Sequence, residues 1–257
     1  MKINVHAGHN PDGKVGCGAI GLIKESTEAR LVKNEVITLL RGLGHTVYDC
    51  TCDNGKSQSD VLQQIIKKCN ANTVDLDVSI HFNSGANDRT GNGKSTGTEV
   101  LIYDSKSKVK PFAENTVNSI SALGFKNRGI KYRTDLYFLR KATAPAMLIE
   151  CCFVDDKDDI KKYNYKTMAQ AIVKGITGQK VTVTVSPNVS ITNNAEFKVK
   201  IIDNALNIRA GAGTTFKVVG VIKDHGIYTI TEVKNNWGKL KSGAGWISLN
   251  TKYVNRV

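Results

Sequence analysis

A chain of 257 residues has room for one large domain or two smaller ones, and 40% hydrophobic with 23% charged residues suits a globular core rather than disorder. The formal net charge of +13 favours an anionic partner, while 7% aromatic content and the absence of RNP-like or zinc-finger spacing argue against nucleic-acid readout. No run of about 18 apolar residues exists, and Lys2-Ile-Asn-Val leads straight into polar HAGHNPDGK, so neither a membrane span nor a signal peptide is expected.

Residues 2–9, KINVHAGH, are an alternating apolar run that reads as a first strand and ends in Gly8-His9. Residues 25–43 are predicted to be a helix: Ala29, Val32, Val36, Leu39, Leu40 and Leu43 recur at helical spacing and Gly44 stops it. HTVYDC (45–50) is a second strand. SQSDVLQQIIKKCN opens on a capping Ser or Asp, with Val61, Leu62, Ile65, Ile66 and Cys69 on one face. LDVSIHF (76–82) and GTEVLIY (97–103) read as strands. Residues 112–123 form a helix with Ala113, Val117 and Ile120 inward. The unbroken apolar run AMLIECCF (146–153) suits a strand covered on both faces. A last helix spans about Asn164 to Ile176. Such alternation predicts an α/β layered domain with a mostly parallel mixed sheet flanked by helices over 1–178.

The pattern then changes. Residues 179–196, rich in Thr, Ser and Asn with one Pro, read as a linker. From 197 to 257 only strand patterns occur (FKVKII, VVGVI, YTITEV, GKLK, GWISL), which predicts a small all-β barrel. Residues 179–257 carry 11 Lys and Arg against 4 Asp and Glu, so the smaller part is the denser positive object.

The six cysteines at 17, 50, 52, 69, 151 and 152 include no CxxC pair and read as a reduced, intracellular set. His9 follows a strand, Glu25 starts a helix, His81 lies in a strand and Glu150 lies within a buried one. At strand ends of a parallel-type sheet such groups gather on one edge. Two imidazoles and a carboxylate make a three-ligand zinc site with a fourth position open. A carboxylate inside AMLIECCF must be paired, metal-linked or shifted in pKa. Alternatives remain open: His6 could pair with His9 although residues three apart on a strand face opposite sides, and Glu28 lies one turn from Glu25. His45 and His225 read as surface residues.

The ordered blocks GHN, GLIKES, LLRGLGH, DVSIHFN, GTEVLIY, NRGIK, LYFLR and AMLIECCFVD, over roughly residues 2–177, resemble the zinc-dependent N-acetylmuramoyl-L-alanine amidases of bacterial autolysins and phage endolysins. The resemblance implies zinc held by His9, Glu25 and His81, with Glu150 as the catalytic carboxylate and His6 a bystander. It implies hydrolysis of the amide between N-acetylmuramic acid and L-alanine in peptidoglycan, with no nucleic-acid or membrane partner. A zinc peptidase acting within stem peptides, or a non-catalytic wall-binding protein, would use the same parts. The expected location is the cytoplasm until release to the wall, as for a phage endolysin. Two departures stand out. Asn10 follows His9 where many members have glycine, and Cys151-Cys152 follow Glu150, where alternation along a strand would let at most one thiol approach the metal. Further on, LNIRAGAGTTFKVVGVI and WGKLKSGAGWISL resemble a bacterial SH3-type domain, in which Leu206, Ile208, Trp237 and Trp246 would fill the barrel core.

Overall fold

The computed structural model describes residues 1–179, 196–214, 216–234, 237–250 and 253–257, and divides into two compact units, Met1–Thr182 and Val183–Val257. Most of the expected linker, 180–195, lies outside the described residues.

The first unit is a mixed α/β sheet structure. Strands β1 (Lys2–Ala7), β2 (Thr46–Asp49), β3 (Leu76–Asn83), β4 (Thr98–Ile102), β5 (Asn127–Tyr132) and β6 (Ala146–Phe153) form one sheet in the order β2-β1-β3-β6-β4-β5. Neighbours pair in parallel except β4 with β6. Helices α1 (Glu25–Gly42), α3 (Lys110–Ser121) and α6 (Tyr165–Thr177) cover one face, where Val5, Val78, Ile80, Val100, Met147 and Ile149 pack against Val32, Val36, Ile120 and Met168. The other face receives α2 (Gln58–Asn70) and the five-residue α4 (Tyr137–Lys141), with Val61, Ile65, Phe138, Leu101 and Leu148 as its core. The expected cap of α2 is in place, Ser57 accepting from Asp60 N, and α6 is capped by Asn164, which accepts from Lys166 N and Thr167 N.

Two features depart from simple alternation. His81 pairs with Glu150 and Asn83 with Phe153, so Cys151 and Cys152 together oppose Phe82, a bulge in a parallel pair. The bulge sends both thiols into the α1/α6 core and returns Phe153 to the face of Glu150, which corrects the expectation that the two cysteines point to opposite sides. A second bulge sets Arg128 and Gly129 opposite Glu99, between the pairs Thr98–Asn127 and Val100–Ile130. Gly129 takes φ +76° there, a conformation that favours glycine. The short α5 (Lys157–Lys162) completes this unit.

In the second unit, β7 (Phe197–Ile201), β8 (Leu206–Arg209), β9 (Val218–Ile222), β10 (Ile227–Lys234), β11 (Trp237–Leu240), β12 (Trp246–Ser248) and β13 (Val254–Arg256) form an antiparallel sheet in the order β13-β7-β10-β11-β12-β8-β9. Its core is aliphatic: Val199, Ile201, Leu206, Ile222, Ile230, Leu240, Ile247 and Val254, with Ile208 packed against it. Trp237 and Trp246 lie outside that cluster, contrary to expectation. Each instead carries a cation over its ring, Arg209 and Lys239 respectively, at 6.0 Å. Among the described residues no helix is long and apolar enough to cross a membrane.

Candidate metal centre

The sheet register assembles the site. Because Ile3, Val5 and Ala7 face α1, the intervening Asn4 and His6 face the α2 side, as do Asp77, Ser79 and His81 on β3. His81 pairs directly with Glu150, and Glu150 directly with Glu99. Three ionisable side chains therefore stand in a row across adjacent strands.

His9 and Glu25 come to this edge from the loop after β1 and from the first residue of α1. That loop folds back on the helix start: Ala19 N donates to Glu25 Oε2 at 2.7 Å, and Glu25 N to Ala19 O at 3.0 Å. Asn10, fully buried, anchors it, its Nδ2 donating to Val15 O and Gly55 O while Oδ1 accepts from Gly55 N. Here the asparagine that replaces glycine has a structural task. Arg30, one turn into α1, donates to His9 O at 2.6 Å and fixes the backbone behind the imidazole.

The result is a convergence of three donors. Glu25 Oε1 lies 3.3 Å from His9 Nε2 and 3.0 Å from His81 Nδ1, and the two imidazoles meet edge to face with centroids 4.8 Å apart. One ligand atom from each of the three lies within 4.8 Å of the others. Two imidazole nitrogens and one carboxylate oxygen are a donor set that fits a zinc ion with an open position. Burial alone would raise the Glu25 pKa, but hydrogen bonds from His81 and then His9 outweigh it and hold the carboxyl well below the usual range. Burial lowers the pKa of His81, so its ring is biased toward the neutral form that a metal requires. Gly8 makes room for it: a Cβ there would sit 1.8 Å from His81 Nε2.

Glu150 is different. Its Oε2 is covered and has no hydrogen-bond partner. Burial, then the charges of Glu25 and Glu99, push its pKa well above the ordinary carboxyl value. It is thus a carboxyl of raised proton affinity beside the three donors, with one oxygen that has no partner among the described residues.

The sequence alternatives separate cleanly. Glu28 accepts from Tyr163 OH at 2.9 Å and is not part of the cluster. His6 is buried, lies edge-on to Phe138 at 4.7 Å, and is held down to about pKa 3 by burial and then by His81. His45 meets the N-terminal amine, and His225, in the second unit, meets Asn204; neither belongs to the cluster. All six cysteines are free and none joins the cluster. A second carboxylate group, Asp88, Asp156 and Asp158, was not anticipated. Its oxygens are occupied by the backbone N–H groups of Gly91, Asn92, Gly93 and Thr96, and Asp155 takes those of Gly85, Ala86 and Asn87. This acidic segment pins the loop between β3 and β4. The run VDDKDD was its only signal.

Residues 3–178 match the family profile described as N-acetylmuramoyl-L-alanine amidase. The chain is 35% identical over 191 residues to an uncharacterized protein of Clostridium perfringens, covering 73% of this chain and 55% of that one. It is 31% identical over 182 residues to an endolysin of Bacillus phage SPP1, covering 66% and 62%. The chain therefore spans about half the length of the first curated relatives it matches, 55% and 51%. Among solved structures, the catalytic domain of the CD27L endolysin targeting Clostridia difficile aligns with TM-score 0.62 at 28% identity, over 71% of this chain and 99% of that one. The catalytic domain of CwlV, from Bacillus (Paenibacillus) polymyxa, aligns with TM-score 0.55 at 27% identity, over 69% and 97%.

Proposed function

Because the chain belongs to the N-acetylmuramoyl-L-alanine amidase family, we propose that it hydrolyses the amide joining N-acetylmuramic acid to the L-alanine of the peptidoglycan stem peptide, with a zinc ion held by His9, Glu25 and His81. The observation that carries the reading is the meeting of those three donors beside a covered Glu150 oxygen that no protein group satisfies. When bound, the ion supplies Lewis acidity, polarising a carbonyl and making water a stronger acid.

The chain's own residues do the rest. Glu150 Oε2 accepts the proton of the attacking water and returns it to the leaving alanine nitrogen, general base and then general acid. Its raised proton affinity suits a group that must hold that proton between the two steps. Glu25 anchors both imidazoles in orientation, and Arg30 with Asn10 fixes the His9 loop. Residues 197–257 act as a basic, SH3-type wall-binding module appended to the catalytic region 1–178. Their excess of Lys and Arg gives a salt-sensitive attraction to anionic wall polymer.

The test is digestion of purified peptidoglycan followed by mass analysis. Release of peptides with a free N-terminal alanine is expected, and cuts inside the stem would replace this reading with a peptidase. Glu150→Gln should retain zinc and lose nearly all lysis. Full activity in an exhaustively chelated, metal-free sample would remove zinc from the reaction.

A further inference from the structure

Beyond Glu150, the row across the sheet continues to a pair that the proposed chemistry does not use. Glu99 is fixed at both oxygens, Oε1 accepting from Asn83 Nδ2 at 2.9 Å and Oε2 from Arg128 Nε at 2.8 Å. The Arg128 guanidinium also lies over the Phe153 ring, 5.0 Å from its centroid. Both contacts depend on irregularities in the strands. The β5 bulge at Arg128-Gly129 sets the arginine opposite Glu99, and the β6 bulge at Cys151-Cys152 turns Phe153 to the same face. Bulges are uncommon in parallel pairs and serve near active sites to re-aim a side chain.

What remains of Arg128 is the end of its fork. Among the described residues neither Nη nitrogen has a hydrogen-bond partner, and the side chain is 31% exposed. Arg133, whose charge does reach Glu150, is committed to Asp135 through both Nε and Nη2. A guanidinium immobilised by a carboxylate and a ring loses little further freedom when its Nη pair meets a planar anion. Next to it on the row stand Glu99 and then Glu150, so among the described residues Arg128 is the cationic side chain that an anionic substrate group meets on this part of the sheet.

We propose that Arg128 is a specificity residue that binds a free carboxylate on the peptide side of the scissile amide, that of the acidic residue following L-alanine, and so discriminates against stems in which that carboxylate is amidated. The assignment rests on the amidase reading above and deepens it. Asn83, Glu99 and Phe153 are the positioning residues that hold the fork.

The test is a binding measurement that needs no turnover. The zinc-loaded full chain is titrated calorimetrically with two synthetic tripeptides, L-alanyl-γ-D-glutamyl-L-lysine and its D-isoglutaminyl counterpart. Wild type should bind the carboxylate form at least tenfold more tightly, because the charged acceptor makes the stronger hydrogen bonds to the guanidinium. In Arg128→Gln the ratio should fall to about one. Arg128→Lys keeps the charge beside Glu99, guards against a folding defect and should fall between, because an ammonium cannot fork. A purely structural arginine would weaken both peptides together and leave the ratio intact. Either an unchanged ratio in Arg128→Gln or equal binding by wild type overturns the proposal. Cleavage inside the stem, with the binding ratio and its loss in Arg128→Gln intact, would instead overturn the amidase reading and leave Arg128 as the peptide anchor.

Discussion

Adding one methyl group at Gly8 should disable the metal centre while leaving the domain folded. The backbone there is ordinary, so alanine brings no conformational strain; the conflict is steric. A Cβ would stand 1.8 Å from His81 Nε2 and 1.9 Å from Cε1, whereas ordinary contact begins at 3.4 Å. The ring must therefore retreat by about 1.5 Å. It has little room to do so, with Nδ1 3.0 Å from Glu25 Oε1 and the His9 ring packed on its edge. Misorienting a ligand costs about 10–100-fold in metal affinity, and an error near 1 Å in a catalytic array about 100-fold in rate. Overpacking adds about 1–3 kcal/mol of instability. Zinc affinity measured against a chromophoric chelator, lysis of purified walls, and circular dichroism read these effects separately. Expected are at least tenfold weaker zinc, about 100-fold slower lysis and an unchanged spectrum. Wild-type zinc affinity in Gly8→Ala would refute the placement of the His81 ring against this backbone.

Glu28→Ala should bind zinc as wild type does, because Glu28 serves Tyr163 OH instead, and should lose about 1–3 kcal/mol of stability from the stranded hydroxyl. Glu25→Ala, one turn earlier, should lose zinc in the same chelator competition, and the reverse outcome would exchange their roles. Asp77 predicts a pH effect. Burial raises its pKa to about 6, only partly offset by the Asn4 hydrogen bond, so the folded state favours the protonated acid. That stability is complete below the unfolded value near 4 and is lost as pH rises through about 6, by up to roughly 2–3 kcal/mol. Asp77→Asn removes this loss. Denaturant titrations of metal-free protein at pH 4.5 and pH 8 should show the variant gaining on wild type by that amount at the higher pH, and a pH-independent difference would count against a buried ionisation.

Elements with many buried apolar residues were legible from sequence, and those held by polar anchoring were not. The period of Ala29, Val32, Val36 and Leu40 gives α1 within a residue, and AMLIECCF gives β6 outright. Helix α5 has no such period: Asp156 starts it by accepting from Asp158 N and Asp159 N. Strand β5 is an edge strand without a buried residue, and β8 and β13 run only four and three residues. His9, His81 and Glu150 could be named because each ends or interrupts an apolar run. Glu25 could not be separated from Glu28, since one helical turn puts both on the same side; the loop that brings Ala19 N to the Glu25 carboxylate decides between them. Asn10, Arg30, Glu99 and Arg128 act through partners distant in sequence, and no local pattern announces such a contact.

The two faces of the sheet show what this centre costs the fold. Toward α1, α3 and α6 the strands present an almost unbroken apolar surface. Toward α2 and α4 they present Asn4, His6, Asp77, Ser79, His81, Glu150 and Glu99, and an apolar substitute at most of these positions would be the more stable choice. Among the described residues, buried polar side-chain atoms with no hydrogen-bond partner include His6 Nε2, Asp77 Oδ2 and Glu150 Oε2, all on this face. The three are not equivalent. Asp77 and His6 lie deep along the strands, beneath α2 and α4, where no substrate reaches; their unmatched atoms are pure loss, and substitution there can stabilise the protein. Glu150 stands two residues beyond the level of His6, in register with His81 and beside the metal donors, where an unmatched carboxylate oxygen is the condition for taking a proton from water. Depth along one sheet face therefore separates the polar atoms that only destabilise from the one whose vacancy the chemistry uses.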